Sequence, residues 1–353
     1  MKLLAALGLE KKANEVMGTG NTGYGAEFIP DEVFAKEILD IRPGRPGFLP
    51  LLRGFHGTGL PKVLTVPVIG LSLGDQEFDG KTEWNTGTAS QTEDDHTVSK
   101  APTAQIQLTQ KGFIAEVNIS DEQLAYNAVN TEEYVKTRLR DGVQLTVEKL
   151  ILNGDVVTAG TGNVNSDDGA PAASKYYLKA DGAVKKALAG SYDVNVGTLD
   201  FDDYASLMGK MGEYASSPED VLFLQPIQVT LKALQIASFL TVQNSGDRAT
   251  IQSGLRPTPF GSDMFTTRTL GLAEADGKQS VTGSNNTLGR IIAMHKGAAQ
   301  FGFGQDVKLE VVRVPGYGWR IVCSFDLGLN FVDAGTGLSA TGSTVALGRN
   351  ITV

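Results

Sequence analysis

The chain has 353 residues but only one cysteine and three histidines. Cys323 alone leaves no intrachain disulfide framework and no cysteine metal cluster. Its neighbours, Arg320-Ile321-Val322-Cys323-Ser324-Phe325, read as a buried strand with a core thiol. His56, His96 and His295 stand far apart in sequence, with no His-x-x-x-His pair and no nucleophile elbow. Zinc and nucleophilic catalysis therefore have no foothold, and no cofactor is expected. A basic excess is missing too: 31 Lys and Arg against 40 Asp and Glu give a net charge of -9. A protein that neutralises phosphates over a broad surface needs the opposite sign, which argues against tight duplex binding. Merely enclosing nucleic acid is not excluded. No stretch approaches the roughly 18 apolar residues of a membrane-spanning helix. The opening Met1-Lys2-Leu3-Leu4-Ala5-Ala6-Leu7-Gly8-Leu9 meets Glu10-Lys11-Lys12 at once, so it reads as a short amphipathic helix rather than a signal peptide.

What is present is enough apolar residue for a core, 41% hydrophobic against 20% charged. The length allows one large domain or two joined ones. The 42 glycines and 13 prolines predict many turns and long irregular connections.

Residues 2–16 can form a short helix, Gly18-Thr19-Gly20-Asn21-Thr22-Gly23-Tyr24-Gly25 is a flexible stretch, and a second short helix runs from Pro30 to Leu39. Pro43, Pro46 and Pro50 then keep the chain extended. This is an arm with too little apolar surface for its own core. Lys62 to Val68, Ala104 to Leu108 and Phe113 to Ile119 alternate as strands. Between the first two lie about 35 polar, glycine-rich residues, a loop length uncommon in compact domains. A long hairpin of this kind gains order by packing on another subunit.

Ser120-Asp121-Glu122-Gln123 is a capping box opening a short helix to about Asn127. The next helix starts at Asn130-Thr131-Glu132-Glu133 and carries an apolar stripe at Val135, Leu139, Val143, Val147 and Ile151, widened by Leu150. Asn153-Gly154 reads as a left-handed stop. Its opposite face holds Lys136, Arg138, Arg140 and Lys149. Residues 155–200 read as loop-rich. Helix, strand and helix follow over Phe201–Tyr214, Val221–Leu224 and Pro226–Ile236, then strands at Met264–Thr267, Gly289–Met294, Val307–Val314 and Arg320–Phe325. The class is α+β with a mixed sheet.

This order of parts resembles the major capsid proteins of tailed bacteriophages, the fold named after coliphage Hong Kong 97. The matching pieces are Leu150-Ile151-Leu152-Asn153-Gly154-Asp155 at the end of the long helix and Asp220-Val221-Leu222-Phe223-Leu224-Gln225-Pro226 at a buried strand. Pro259-Phe260-Gly261-Ser262-Asp263-Met264 and Arg313-Val314-Pro315-Gly316-Tyr317-Gly318-Trp319-Arg320 complete the set.

The resemblance implies an N-terminal helix and arm over 1–54 and an extended loop over 55–110. It also implies a peripheral domain with its spine helix over 111–154, an axial domain over 155–305, and peripheral-domain strands with a C-terminal tail over 306–353. It further implies a structural protein rather than an enzyme, assembled with itself as hexamers and pentamers of an icosahedral shell around double-stranded DNA. The shell would form in the bacterial host cytoplasm and end in the virion, with a portal, a scaffolding protein and in some cases a decoration protein as partners.

Many such proteins carry a long cleaved scaffolding segment, whereas about 17 residues precede the arm here, so a separate scaffold is expected. Nothing marks Lys62, Lys81 or Lys100 for cross-linking. An encapsulin-type compartment around a protein cargo is the alternative with the same fold.

Sites in such a protein are contacts between subunits. The candidates are Arg42 and Arg45 in the arm; Phe78, Trp84, Glu93, Asp94 and Asp95 in the loop; Arg138 and Arg140 on the helix; and Pro315, Tyr317 and Trp319 in the last hairpin turn. Exposed aromatics among charges mark interfaces. Gly18-x-Gly20-x-x-Gly23 matches a dinucleotide fingerprint in letters but lacks the strand before and the helix after it. Thr92-Glu93-Asp94-Asp95-His96 has no EF-hand spacing and reads as a charged loop tip. Asp167-Asp168 and Asp202-Asp203 read as surface acids.

Overall fold

The computed structural model describes residues 47–69, 103–120, 131–159, 162–240, 259–315, 318–332 and 342–353. The expected helices at 2–16, 30–39 and 121–127 and the glycine stretch at 18–25 lie outside these residues.

In chain order, β1 (Val63–Ile69) and β2 (Thr103–Thr109) pair antiparallel from Val63 opposite Thr109 to Ile69 opposite Thr103. They form the base of the expected hairpin. β3 (Lys111–Ile119) follows after one residue, and α1 (Thr131–Asn153) is the long helix expected from the apolar stripe. Val143, Val147, Leu150, Ile151 and Leu152 are buried along it. At about 1.5–3 kcal/mol for each fully buried large side chain, this face alone accounts for its docking.

The chain continues through α2 (Ala183–Ala189), β4 (Asp193–Gly197) and α3 (Phe201–Met211) to β5 (Val221–Gln225), α4 (Ile227–Ala233) and α5 (Ala237–Leu240). β6 (Asp263–Thr266), β7 (Leu288–His295), β8 (Ala299–Phe303), β9 (Lys308–Val314), β10 (Gly318–Phe331) and β11 (Val345–Thr352) complete it.

Two larger sheets result. In the four-stranded sheet β10 is central, with β3 along one edge and both β9 and β8 along the other. The five-stranded sheet has the order β4-β11-β7-β5-β6. It is mixed: β4 with β11 and β5 with β6 are parallel, and the other pairs are antiparallel.

Strand alternation splits the core of the five-stranded sheet in two. Leu222, Leu224, Ile292, Met294, Val345 and Leu347 join α2, the end of α1 and the four-stranded sheet in one cluster. Val221, Phe223, Ile291, Ala293, Ala346 and Ile351 face the opposite way, against α3 and α4. Covered on both faces, β5 reads as a continuous apolar run.

Several expectations need correction. Residues 155–200 hold α2 and β4, not only loops. The C-terminal tail is an inner strand, β11, of the five-stranded sheet. β8 lies before residue 305 yet belongs to the four-stranded sheet. A boundary at 305/306 therefore does not separate the sheets.

Gly154 does not have the left-handed backbone expected of a helix stop. A Cβ there would land on the Ala180 carbonyl and on the Leu150 carbonyl, so close approach is what requires glycine. Asp203 is not a free surface acid, because it completes a capping box by accepting the Asp200 N–H at 2.7 Å.

Candidate assembly surfaces

The β1–β2 ribbon is a separate two-stranded sheet. Its foot is anchored: Ile106 and Leu108 are buried, Asn330 donates to the Gln107 carbonyl at 3.2 Å, and Gln110 N–H bonds the Lys62 carbonyl at 2.9 Å. Along β1, Val63, Thr65 and Pro67 are exposed while Leu64 and Val66 are half-covered. Two strands with one face bare are marginal alone in water. Phe78, Trp84, Glu93, Asp94 and Asp95, which lie between the two strands in sequence, are outside the described residues, as are Arg42, Arg45 and Tyr317.

The outer face of α1 carries the basic candidates. Arg138 and Arg140 are exposed. The Arg138 guanidinium lies over the Tyr134 ring at 5.1 Å and its Nε donates to the Tyr134 hydroxyl at 2.9 Å. Lys136 pairs with Glu132 at 2.6 Å. Beside Arg138 a groove of about 420 Å³ opens between α1, β3 and β10. Ile114, 73% exposed, stands at its rim with Lys175.

The last hairpin joins β9 to β10. Pro315 is exposed there, and Arg313 lies over the half-buried Trp319 ring at 5.8 Å. The structure thus distributes the described candidates over two elements, with Arg138 and Arg140 on α1 and Pro315 and Trp319 in the hairpin.

The titratable groups that invited a chemical reading hold structure together. Asp167 receives Lys278 Nζ at 2.7 Å, and Asp168 accepts the Ser280 hydroxyl at 2.6 Å and the Val281 N–H at 2.7 Å. Those hydrogen bonds hold the Asp168 carboxyl below its ordinary range, and both acids latch one loop to another rather than merely face solvent. Burial raises the pKa of the Cys323 thiol in β10, which keeps it protonated and unreactive. His56 meets Gln300 Oε1 at 2.5 Å, and His295 Nδ1 accepts the Gly297 N–H at 3.1 Å. Among the described residues no group of three His, Cys, Asp or Glu side chains could hold a metal ion, and no helix is long and apolar enough to cross a membrane.

One site escaped the sequence reading. Where α1 ends, Arg290 of β7 is completely buried, with no carboxylate in contact among the described residues. Its guanidinium donates to the Gly271 carbonyl at 3.0 Å, the Gly277 carbonyl at 2.9 Å and Asn153 Oδ1 at 3.4 Å. Burial pushes its pKa down to about 10, with Asp276 acting the other way, so it stays charged at neutral pH. Asn153 in turn donates to the Thr269 carbonyl at 3.0 Å and its own carbonyl accepts Asn165 Nδ2 at 2.6 Å. Asp155, also fully buried, accepts the Val164 N–H at 2.8 Å and lies 3.4 Å from Lys185 Nζ. Asn153 and Asp155 stood in the quoted helix-end motif, but nothing in the sequence pointed to a partner 137 residues away.

The described architecture is a two-stranded ribbon, a long helix on one sheet and a second, mixed sheet. Solved capsid chains share it. A chain from Mycobacterium phage Bobi is 12% identical with a TM-score of 0.58, covering 95% of this chain and 98% of its own. The "Capsid structure of the Cyanophage P-SCSP1u" gives 16% and 0.55, covering 95% and 97%. The "Capsid of native GTA particle" gives 13% and 0.56, covering 95% and 99%. No curated protein sequence matches. The model of the phage capsid family matches residues 68–211, which run from the ribbon through α1 to the end of α3. Residues 68–211 thus match the phage capsid family, and the chain as a whole has the fold of solved phage capsid chains.

Proposed function

We propose that this subunit closes an icosahedral shell around packaged double-stranded DNA by laying its ribbon, and the acidic segment between the ribbon strands, on a neighbouring subunit. The observation that carries this reading is the β1–β2 ribbon, anchored at its foot and, among the described residues, paired with no other sheet. The residues joining its strands include Asp75, Glu77, Asp79, Glu83, Glu93, Asp94 and Asp95. The exposed basic face of α1, with Arg138 and Arg140, is a complementary surface for them. The arm up to residue 54 reaches along neighbours in the same way, and the hairpin of Pro315, Tyr317 and Trp319 meets its symmetry mates. Residues of the five-stranded sheet serve as the axial domain and those of the four-stranded sheet as the peripheral one. A separate scaffolding protein and a portal complete assembly in the host cytoplasm, and the DNA is enclosed without sequence-specific contacts.

Many moderate contacts of this kind act together, so segments with little order of their own suffice. Deleting residues 72–98 should leave a folded subunit, because the foot of the ribbon keeps Ile106 and Leu108 in place. That variant should form no closed shell by electron microscopy, and intact shells would sink the proposal. Native particles should hold DNA, whereas protein cargo inside them would point to an encapsulin-type compartment.

A further inference from the structure

Asn153 and Arg290 meet where the two halves of the molecule join. α1 packs on β3 and β10 of the four-stranded sheet and on α2, and its residues Leu150, Ile151 and Leu152 enter the core shared with the five-stranded sheet. Arg290 belongs to β7, the middle strand of that second sheet. Its alternate neighbours Ile292 and Met294 face the same shared core.

A buried guanidinium whose partners among the described residues are carbonyl and amide oxygens is a poor means of gaining stability. Removing it from water costs several kcal/mol, and an apolar side chain of similar volume serves a core as well or better. What the group does supply is direction. The planar fork bonds Gly271, Gly277 and Asn153 at once, which ties the helix end at Asn153 to the segment carrying Gly271 and Gly277. Asn153 is fixed from its other side by Thr269 and Asn165. Gly154 beside it lies so close to Ala180 that no Cβ fits.

We infer that Asn153 and Arg290 form a positioning joint that sets the angle between α1 and the five-stranded sheet, and through that angle the curvature of the shell. The inference rests on the capsid reading above. Leverage makes the joint matter: the 23 residues of α1 span about 34 Å at about 1.5 Å each. A tilt of about 10° at Asn153 therefore moves the far end by about 6 Å, enough to change which neighbour contacts form.

The test compares wild type with Arg290→Met, Arg290→Lys and Asn153→Ala. Each is assembled under the same conditions, with particle diameters read by electron microscopy and subunit folding by circular dichroism. Arg290→Met and Asn153→Ala should fold and still associate, but the fraction of particles in the wild-type diameter class should fall severalfold, with open sheets or mixed sizes in its place. Arg290→Lys keeps the charge without the fork and should fall between. Folded variants giving the wild-type diameter distribution would overturn the joint and leave the capsid reading intact. If neither Arg290→Met nor Asn153→Ala yields a folded subunit, the pair is a core-stability element and the inference fails. Absence of shells from the wild-type chain would instead overturn the assembly reading itself.

Discussion

Adding one methyl group at Gly154 would press it against the carbonyls of Ala180 and Leu150. Gly154→Ala should cost roughly 1–3 kcal/mol by overpacking, read as a lower thermal midpoint. Gly57, with φ of +92° and open space around it, should lose stability for a different reason, because its backbone favours glycine. Unchanged stability of Gly154→Ala would mean the helix end is looser than the packing implies.

His295 gives a pH signature. Burial depresses its pKa below the ordinary 6.5, with Arg53 and Lys296 adding to the effect and Asp220 opposing it. The folded state thus favours the neutral ring. Above pH 6.5 both states are neutral and the effect is nil. As pH falls through 6.5 the unfolded chain takes up a proton that the folded ring resists, and stability drops. His295→Gln should flatten that part of the curve in urea midpoints measured at about pH 7.5 and about pH 5.5. Parallel losses in both proteins would contradict it.

Residue types alone made Cys323 legible as a core thiol, because its neighbours alternate. They left Arg290 invisible, since an arginine in the run Leu288-Gly289-Arg290-Ile291 looks like a solvent-facing position until the covering loop is known.

At the scale of elements, α1 is where sequence and packing agree most closely. The four-residue spacing predicted the stripe that buries Val143, Val147 and Ile151, while Val135 and Leu139 are half-covered and Arg138 and Arg140 are exposed. The two faces should therefore separate stability from assembly. Ile151→Ala should cost the subunit roughly 2–5 kcal/mol by leaving a cavity. Charge reversal at Arg138 and Arg140 should leave subunit stability nearly unchanged, as surface substitutions do, while impairing assembly seen by sedimentation. Normal shells that fail only to retain DNA would count against a role in subunit contacts.

Other elements were hidden for identifiable reasons. β8 is short, and Ala299 and Gly302 dilute its alternation. β11 contains Gly348 and a left-handed Asn350, where its pairing with β7 shifts register. α2 is seven residues of Ala, Val, Lys and Leu, a length at which helix and loop are hard to tell apart by pattern.

Over the whole molecule the order of parts was legible and the partition between sheets was not. The ribbon, the long helix, the buried β5 and the closing hairpin appear in the expected sequence. Chain order nevertheless misassigns β8 and β11, because β8 joins the four-stranded sheet before the expected boundary and β11 returns to the five-stranded sheet after it. Those crossings interleave the two halves through one shared core.

The most direct measurement is electron microscopy of the purified chain, expressed alone and with a co-expressed scaffolding protein. Closed icosahedral particles of uniform diameter are the predicted result. A monodisperse monomer that never forms a shell under either condition would contradict the account.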